Sequence, residues 1–114
     1  MEFKNVCPWG YYQVLSDAPD HKVKRIVVLP GGSLSLQRHK LRQEHWYCVS
    51  GEGEATVEGN HMNLVQGQSV NIAQGAIHRL ENTSDQDLVI IEVQTGAYFG
   101  EDDIERLEDN YGRV

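Results

Sequence analysis

Four residues in two separate stretches have the types and spacing to share one metal ion. Gln37 and His39 are separated by one residue, Glu44 follows five positions later, and His78 lies far downstream. Two imidazoles, a carboxylate and an amide oxygen form a sensible donor set for a divalent ion, with the amide oxygen a harder ligand than imidazole. Read as a strand, residues 33–39 carry Ser33, Ser35, Gln37 and His39 on one face, with same-face neighbours about 6.6 Å apart. Leu34, Leu36 and Arg38 fall on the other face. A polar inner face inverts what a sandwich core requires unless that face lines a cavity. Glu44 opens a strand in which Trp46 and Cys48 share its face, and His78 opens another with Leu80 beside it.

Glu92 and Gln94 share a face opposite Val89, Ile91 and Val93. If that polar face looks into the cavity, Glu92 is a candidate proton carrier. His45, next to Glu44, is a second catalytic candidate, although alternation points it to the opposite face, where packing is its alternative role. His21 and His61 fall in or beside turns, and Trp9 and Trp46 read as packing residues. Between Lys22 and Arg42 lie six cations and no acid. Such a run is either a solvated strand face or an anion site. Lys24 and Arg25 point to opposite faces, so only one can enter a cavity; Lys22 shares the face of Lys24, and Lys24 is the preferred anion contact.

These residues need elements to position them. A chain of 114 residues points to one domain spanning 1–114. Gly or Pro interrupts the apolar pattern about every ten residues, as in an all-β sandwich or barrel. The expected strands cover 11–15, 22–29, 33–39, 44–50, 54–58, 61–65, 69–72, 77–82 and 87–95, with a tight hairpin at Gly59-Asn60. An N-terminal arm of about 1–15 contains an irregular Cys7-Pro8-Trp9-Gly10 stretch, because Pro8 removes a donor. A C-terminal tail of about 100–114 reads as a short helix, since Ile104, Leu107 and Tyr111 recur at helical spacing behind acidic residues that suit a helix N-terminus.

The balance of 10 Lys+Arg against 17 Asp+Glu, a net charge of -7, argues against nucleic acid or an anionic membrane as partner. No apolar run approaches about 18 residues, and residues 1–7 lack a signal-peptide core, so a cytoplasmic setting with Cys7 and Cys48 reduced is expected. Exposed sheet edges and the apolar stripe of the terminal helix together point to a homodimer.

The spacing also carries a family resemblance. Gly31, Gln37, His39, Glu44 and Gly51 are similar to the first cupin motif, and Gly67, Gly75, His78 and Asn82 to the second. The string Leu34-Ser-Leu-Gln-Arg-His39, with Glu44-His45-Trp46, resembles the phosphomannose isomerase branch of the cupins. The similarity extends from Pro8-Trp9-Gly10 to Tyr111-Gly-Arg113, and is strongest to the C-terminal isomerase domain of bifunctional mannose-1-phosphate guanylyltransferase/mannose-6-phosphate isomerase enzymes. Two positions depart from that branch: Cys7 stands where arginine is usual, and Ala73 where proline is.

The resemblance implies a jelly-roll barrel holding one divalent metal on Gln37, His39, Glu44 and His78, with zinc first and manganese, nickel or iron as substitutes. It implies an aldose–ketose isomerase acting on mannose 6-phosphate and fructose 6-phosphate or a related sugar phosphate, for which Lys22, Lys24 and Arg106 are the candidate substrate-binding cations. Two other readings stay open. One is a cupin that binds a sugar or nucleotide sugar without turnover beside a nucleotidyltransferase, which the loss of an arginine at Cys7 favours. The other is a metal-dependent oxygenase, which Gln37 disfavours as a ligand.

Overall fold

The computed structural model describes residues 3–114, and every regular element among them is a strand. Six strands form one antiparallel sheet in the order β1 (Asn5–Cys7), β2 (Gly10–Ala18), β3 (His21–Val28), β10 (Leu88–Gly96), β5 (Arg42–Ser50) and β8 (Ser69–Ile72). The second sheet runs β11 (Glu105–Glu108), β4 (Leu36–Arg38), β9 (His78–Glu81), β6 (Glu52–Val57) and β7 (Asn60–Val65). The nine expected strands all occur, and β1 and β11 are additional.

The two inner faces divide lengthwise into an apolar end and a polar end. On β5 the inward positions are Cys48 and Trp46, then Glu44 and Arg42; on β10 they are Leu88 and Ile90, then Glu92 and Gln94. The apolar halves, with Leu80 of β9, pack into the core cluster, and Cys48, Leu80, Leu88 and Ile90 are fully buried. The same two-residue period thus builds a packed end and a polar cavity from single strands.

Local turn chemistry fixes the register of these strands. Val57 pairs with Asn60 across Glu58 and Gly59, whose φ angles of 50° and 80° match the two-residue turn that suits twisted hairpins. At Gly10, φ is 153° and a Cβ would lie 2.1 Å from the Val27 carbonyl oxygen, so β2 can approach β3 there only without a side chain. The Cys7–Gly10 stretch is a turn at Pro8 and Trp9, across which Cys7 pairs with Gly10, so that residues 5–18 form the β1–β2 hairpin of the first sheet.

Two expectations fail. Residues 100–109 contain no helix; Glu105, Arg106 and Glu108 pair with Arg38, Gln37 and Leu36 as β11. An isolated helix of ten residues is marginal in water, whereas the open edge of β4 offers a full set of backbone partners. The strand is secured by Arg38 donating to Glu105 at 2.6 Å and by the Ser33 amide donating to the Tyr111 hydroxyl at 3.2 Å. Ile104 turns toward the cavity and Leu107 is 38% exposed, so the apolar helical stripe on which a dimer contact was expected does not exist. In the 33–39 segment only Leu36–Arg38 is a strand. Ser33 makes a single bridge to Glu81, and Leu34, whose amide donates to the Leu80 carbonyl, is buried in the core rather than turned outward.

Among the described residues no helix is long and apolar enough to cross a membrane. The core placement gives a direct test. Leu80→Ala should cost about 2–5 kcal/mol in chemical denaturation, as buried leucine truncations do. Leu107→Ala should stay within about 0.5 kcal/mol, as surface changes do. Equal costs at the two positions would contradict β11 as an exposed edge strand.

Candidate metal centre

His39 follows β4, Glu44 lies in β5 and His78 opens β9, with Gln37 directly opposite His78 in the register of β4 and β9. The fold brings one ligand atom from each of His39, Glu44 and His78 within 4.8 Å of one another, all three residues being buried. His39 Nε2 is 3.3 Å from Glu44 Oε2, and His78 Nε2 is 3.5 Å from Glu44 Oε1. The opposite ring nitrogens are already committed. His39 Nδ1 donates to the Asp103 carbonyl at 2.6 Å, and His78 Nδ1 donates to the Ala76 carbonyl at 2.9 Å. A carbonyl can only accept, so each neutral ring carries its proton on Nδ1 and presents the Nε2 lone pair inward.

His78 Nε2 is buried without a hydrogen-bond partner, an unusual cost unless something else uses that lone pair. The residues therefore fit a divalent ion on His39, Glu44 and His78. Gln37 stands beside them in the cavity wall, where its amide oxygen accepts from the Ser35 hydroxyl at 3.2 Å.

Electrostatics follow from the packing. Burial pushes the Glu44 carboxyl up, but the close approach and charge of His78, with the charges of His39 and Arg42, outweigh it and hold Glu44 well below the usual carboxylate range. Burial lowers His39, and the Glu44 charge only partly offsets it. Burial also opposes protonation of His78, yet its contact with Glu44 leaves it raised.

Glu92 responds in the opposite sense. Its burial, with the charge of Glu44 nearby, pushes its carboxyl up to about 7, against the pull of Lys24 and Arg42. Trp46 Nε1 donates to Glu92 Oε2 at 3.0 Å and Gln94 Nε2 to Oε1 at 2.6 Å, which fixes the carboxyl in place. Trp46 also stands edge-on to His78 at a ring separation of 5.6 Å, tying Glu92 to the ligand cluster.

A cavity of about 230 Å³ opens onto Gln37, His39, Glu44 and Glu92. Lys24 lines it, but its ammonium is held by Glu101 at 2.7 Å and lies over the Tyr12 ring. Lys22 is absent from the wall and reaches the Phe99 carbonyl at 3.4 Å and Glu101 at 3.7 Å. Arg106 enters the cavity, and its Nε is buried without a hydrogen-bond partner.

His45 does not join this site. It lies on the outer face of the sheet, bonded to Asn71 and bordering a separate recess with Gln43 and Thr95, as alternation from an inward Glu44 requires. His21 and His61 lie away from the cavity, hydrogen-bonded to Asp20 at 2.7 Å and Glu54 at 2.6 Å.

Sequence reasoning missed Arg42, Glu101, Asp103 and Arg113. Arg42 was legible, because it precedes Glu44 by two positions and must share its face. The other three were hidden by the helical reading of the tail, which in the structure crosses the cavity mouth.

The family model for the C-terminal part of mannose-6-phosphate isomerase matches residues 1–109. The chain belongs to that family. It is 51% identical over 94% of its length to the alginate biosynthesis protein AlgA of Pseudomonas putida, and covers 22% of that protein. It is 46% identical over 93% of its length to a mannose-1-phosphate guanylyltransferase of Klebsiella pneumoniae, and again covers 22% of it. This isomerase-family chain therefore spans about a fifth of the length of those relatives.

Among solved structures, the capsular polysaccharide assembling protein CapF of Staphylococcus aureus superposes with a TM-score of 0.85 at 23% identity, over 96% of this chain and 35% of CapF. A cupin 2 conserved barrel domain protein of Salinispora arenicola superposes at 0.68 with 23% identity, over 76% of both chains. At that identity the likeness concerns the fold, which is the cupin barrel.

Two measurements probe the centre. His78→Ala should lower bound divalent metal at least about tenfold in elemental analysis, the scale on which metal-site disruptions act, while His61→Ala should leave it unchanged. The raised Glu92 carboxyl binds its proton more tightly in the folded chain. Its stabilising contribution is full below the unfolded value of 4.5 and lost as pH rises through about 7. Denaturation of the chelator-treated protein should show stability falling across that window, and Glu92→Gln should flatten the fall.

Proposed function

We propose that the chain is a metal-dependent aldose–ketose isomerase that interconverts mannose 6-phosphate and fructose 6-phosphate or a closely related pair. The observation that supports it most is one cavity lined both by His39 and Glu44, two members of the preformed His39/Glu44/His78 cluster, and by a fixed carboxyl of near-neutral pKa at Glu92. The substrate pair is taken from the family. When bound, a divalent ion supplies the Lewis acidity that polarises the sugar carbonyl. Zinc suits this donor set, and manganese, nickel or iron can take its place.

The remaining work falls to this chain's own side chains. Glu92, ionised, accepts the proton from the carbon beside the carbonyl and, protonated, returns it to the former carbonyl carbon, while the hydroxyl proton passes from one sugar oxygen to the other; a pKa near the working pH serves both directions. Trp46 and Gln94 hold that carboxyl to one position throughout. Arg106, whose Nε lacks an internal partner, is better placed than Lys24 to receive the phosphate, since Lys24 is already neutralised by Glu101. Cys7 in the cavity wall favours a second reading, a cupin that binds sugar phosphates or nucleotide sugars without turning them over, because it withholds one cation from the ligand.

A coupled assay of mannose 6-phosphate isomerisation separates the two. Turnover that is abolished by chelator and restored by metal supports the isomerase, and binding without turnover supports the second reading. Arg106→Met should raise KM for the sugar phosphate about tenfold or more, the scale of losing a charge-assisted contact of about 1.5–3 kcal/mol, with a smaller change for the unphosphorylated sugar.

A further inference from the structure

Arg42 occupies an unusual position for a cation. It opens β5 two residues before Glu44, is 5% exposed, and points into the same end of the barrel. Its Nε donates to Glu44 Oε2 at 2.9 Å, and one terminal nitrogen donates to His39 Nε2 at 3.3 Å. The other terminal nitrogen, Nη1, is buried with no hydrogen-bond partner.

Glu44 can be shared, because each carboxylate oxygen has two lone pairs and Oε1 faces His78. His39 cannot. Its Nδ1 is committed to the Asp103 carbonyl, so Nε2 carries the ring's single available lone pair, and that pair either accepts from Arg42 or bonds a metal. A dication on the cluster would also set like charge against a guanidinium in a weakly screened interior.

We propose that Arg42 is an internal cation that holds His39 and Glu44 together in the metal-free chain, and that metal binding displaces it from His39 toward the cavity, where it takes an anionic group of the ligand. The inference rests on the metal reading of the His39/Glu44/His78 cluster. The cavity gives the displaced guanidinium somewhere to go, since Arg42 already lines it. The nearby carboxylate of Glu101 is engaged by Lys24 at 2.7 Å and Lys22 at 3.7 Å, so among the described residues Arg42 ion-pairs with Glu44 alone, through Nε and a terminal nitrogen at 2.9 Å. A dication drawing on that carboxylate leaves the guanidinium charge for a ligand. Metal and anion then bind cooperatively and reciprocally: an anion that draws Arg42 from His39 tightens metal binding by the same factor by which metal tightens the anion.

Calorimetric titration of the full chain with cobalt(II), with and without sulfate at constant ionic strength, tests this. The wild type should bind cobalt about tenfold more tightly in sulfate, within the usual range of coupling between sites. Arg42→Met, shown to be folded by its thermal transition, should bind cobalt more tightly than the wild type without sulfate and show no sulfate effect. Cobalt binding by the wild type that is indifferent to sulfate overturns the inference alone, and this arm needs no variant to fold. A folded Arg42→Met that keeps the full sulfate effect overturns it as well. No cobalt binding by the wild type, or equal binding by His78→Ala, overturns the metal reading and this inference with it.

Discussion

Glu44 is a carboxylate at 3% exposure, and most of the polar end of the barrel can be understood as what keeps it charged there. An unpaired buried charge is costly enough that the group would neutralise instead. Glu44 escapes this because β4, β5 and β9 converge on it: His39, His78 and Arg42 approach its two oxygens within 2.9–3.5 Å. A charge held so close to Glu92 makes ionisation there harder, so one carboxyl is kept ionised and its neighbour near neutrality. Two acids with opposed environments are the pattern by which acid–base roles are usually divided. The site's electrostatics thus derive from one buried carboxylate and its ring of partners.

The C-terminal segment closes this arrangement from outside the barrel. Asp103 accepts from His39 through its carbonyl, and its carboxylate accepts from the Lys40 and Leu41 amides at 3.0 and 2.9 Å, clasping the turn that carries His39. Glu101 sets Lys24, and Ile104, Arg106 and Arg113 complete the wall. A metal-ligating histidine is oriented by the group that takes its other ring proton. Here that group comes from a residue 64 positions away in the chain. The tail is therefore part of the site as well as a cover for the β4 edge.

Period-two alternation explains why so much of the site could be read in advance. Glu44 with Trp46 and Cys48, Glu92 with Gln94, and His78 with Leu80 keep the faces that alternation assigns, and His45 is turned away for the same reason. The rule holds where strands are long and paired on both sides, as β5 and β10 are. It breaks at Leu34, where the segment is held by a single bridge and irregular bonds to β9 and no ladder enforces the pleat.

Residue type and spacing alone were enough to determine the all-β class, the placement of most strands and the inward faces of Glu44, His78 and Glu92, because each rests on local turn chemistry or a short repeat. Only the tertiary structure decided that residues 105–108 are a strand, that Asp103 orients His39, that Lys24 is neutralised by Glu101, and that Arg42 shares the ligand atoms. Those outcomes depend on which backbone edge lay open and which charges met across distant parts of the chain. Local pattern carries no information about either, so an apolar spacing that suits a helix gave way to the unpaired edge of β4.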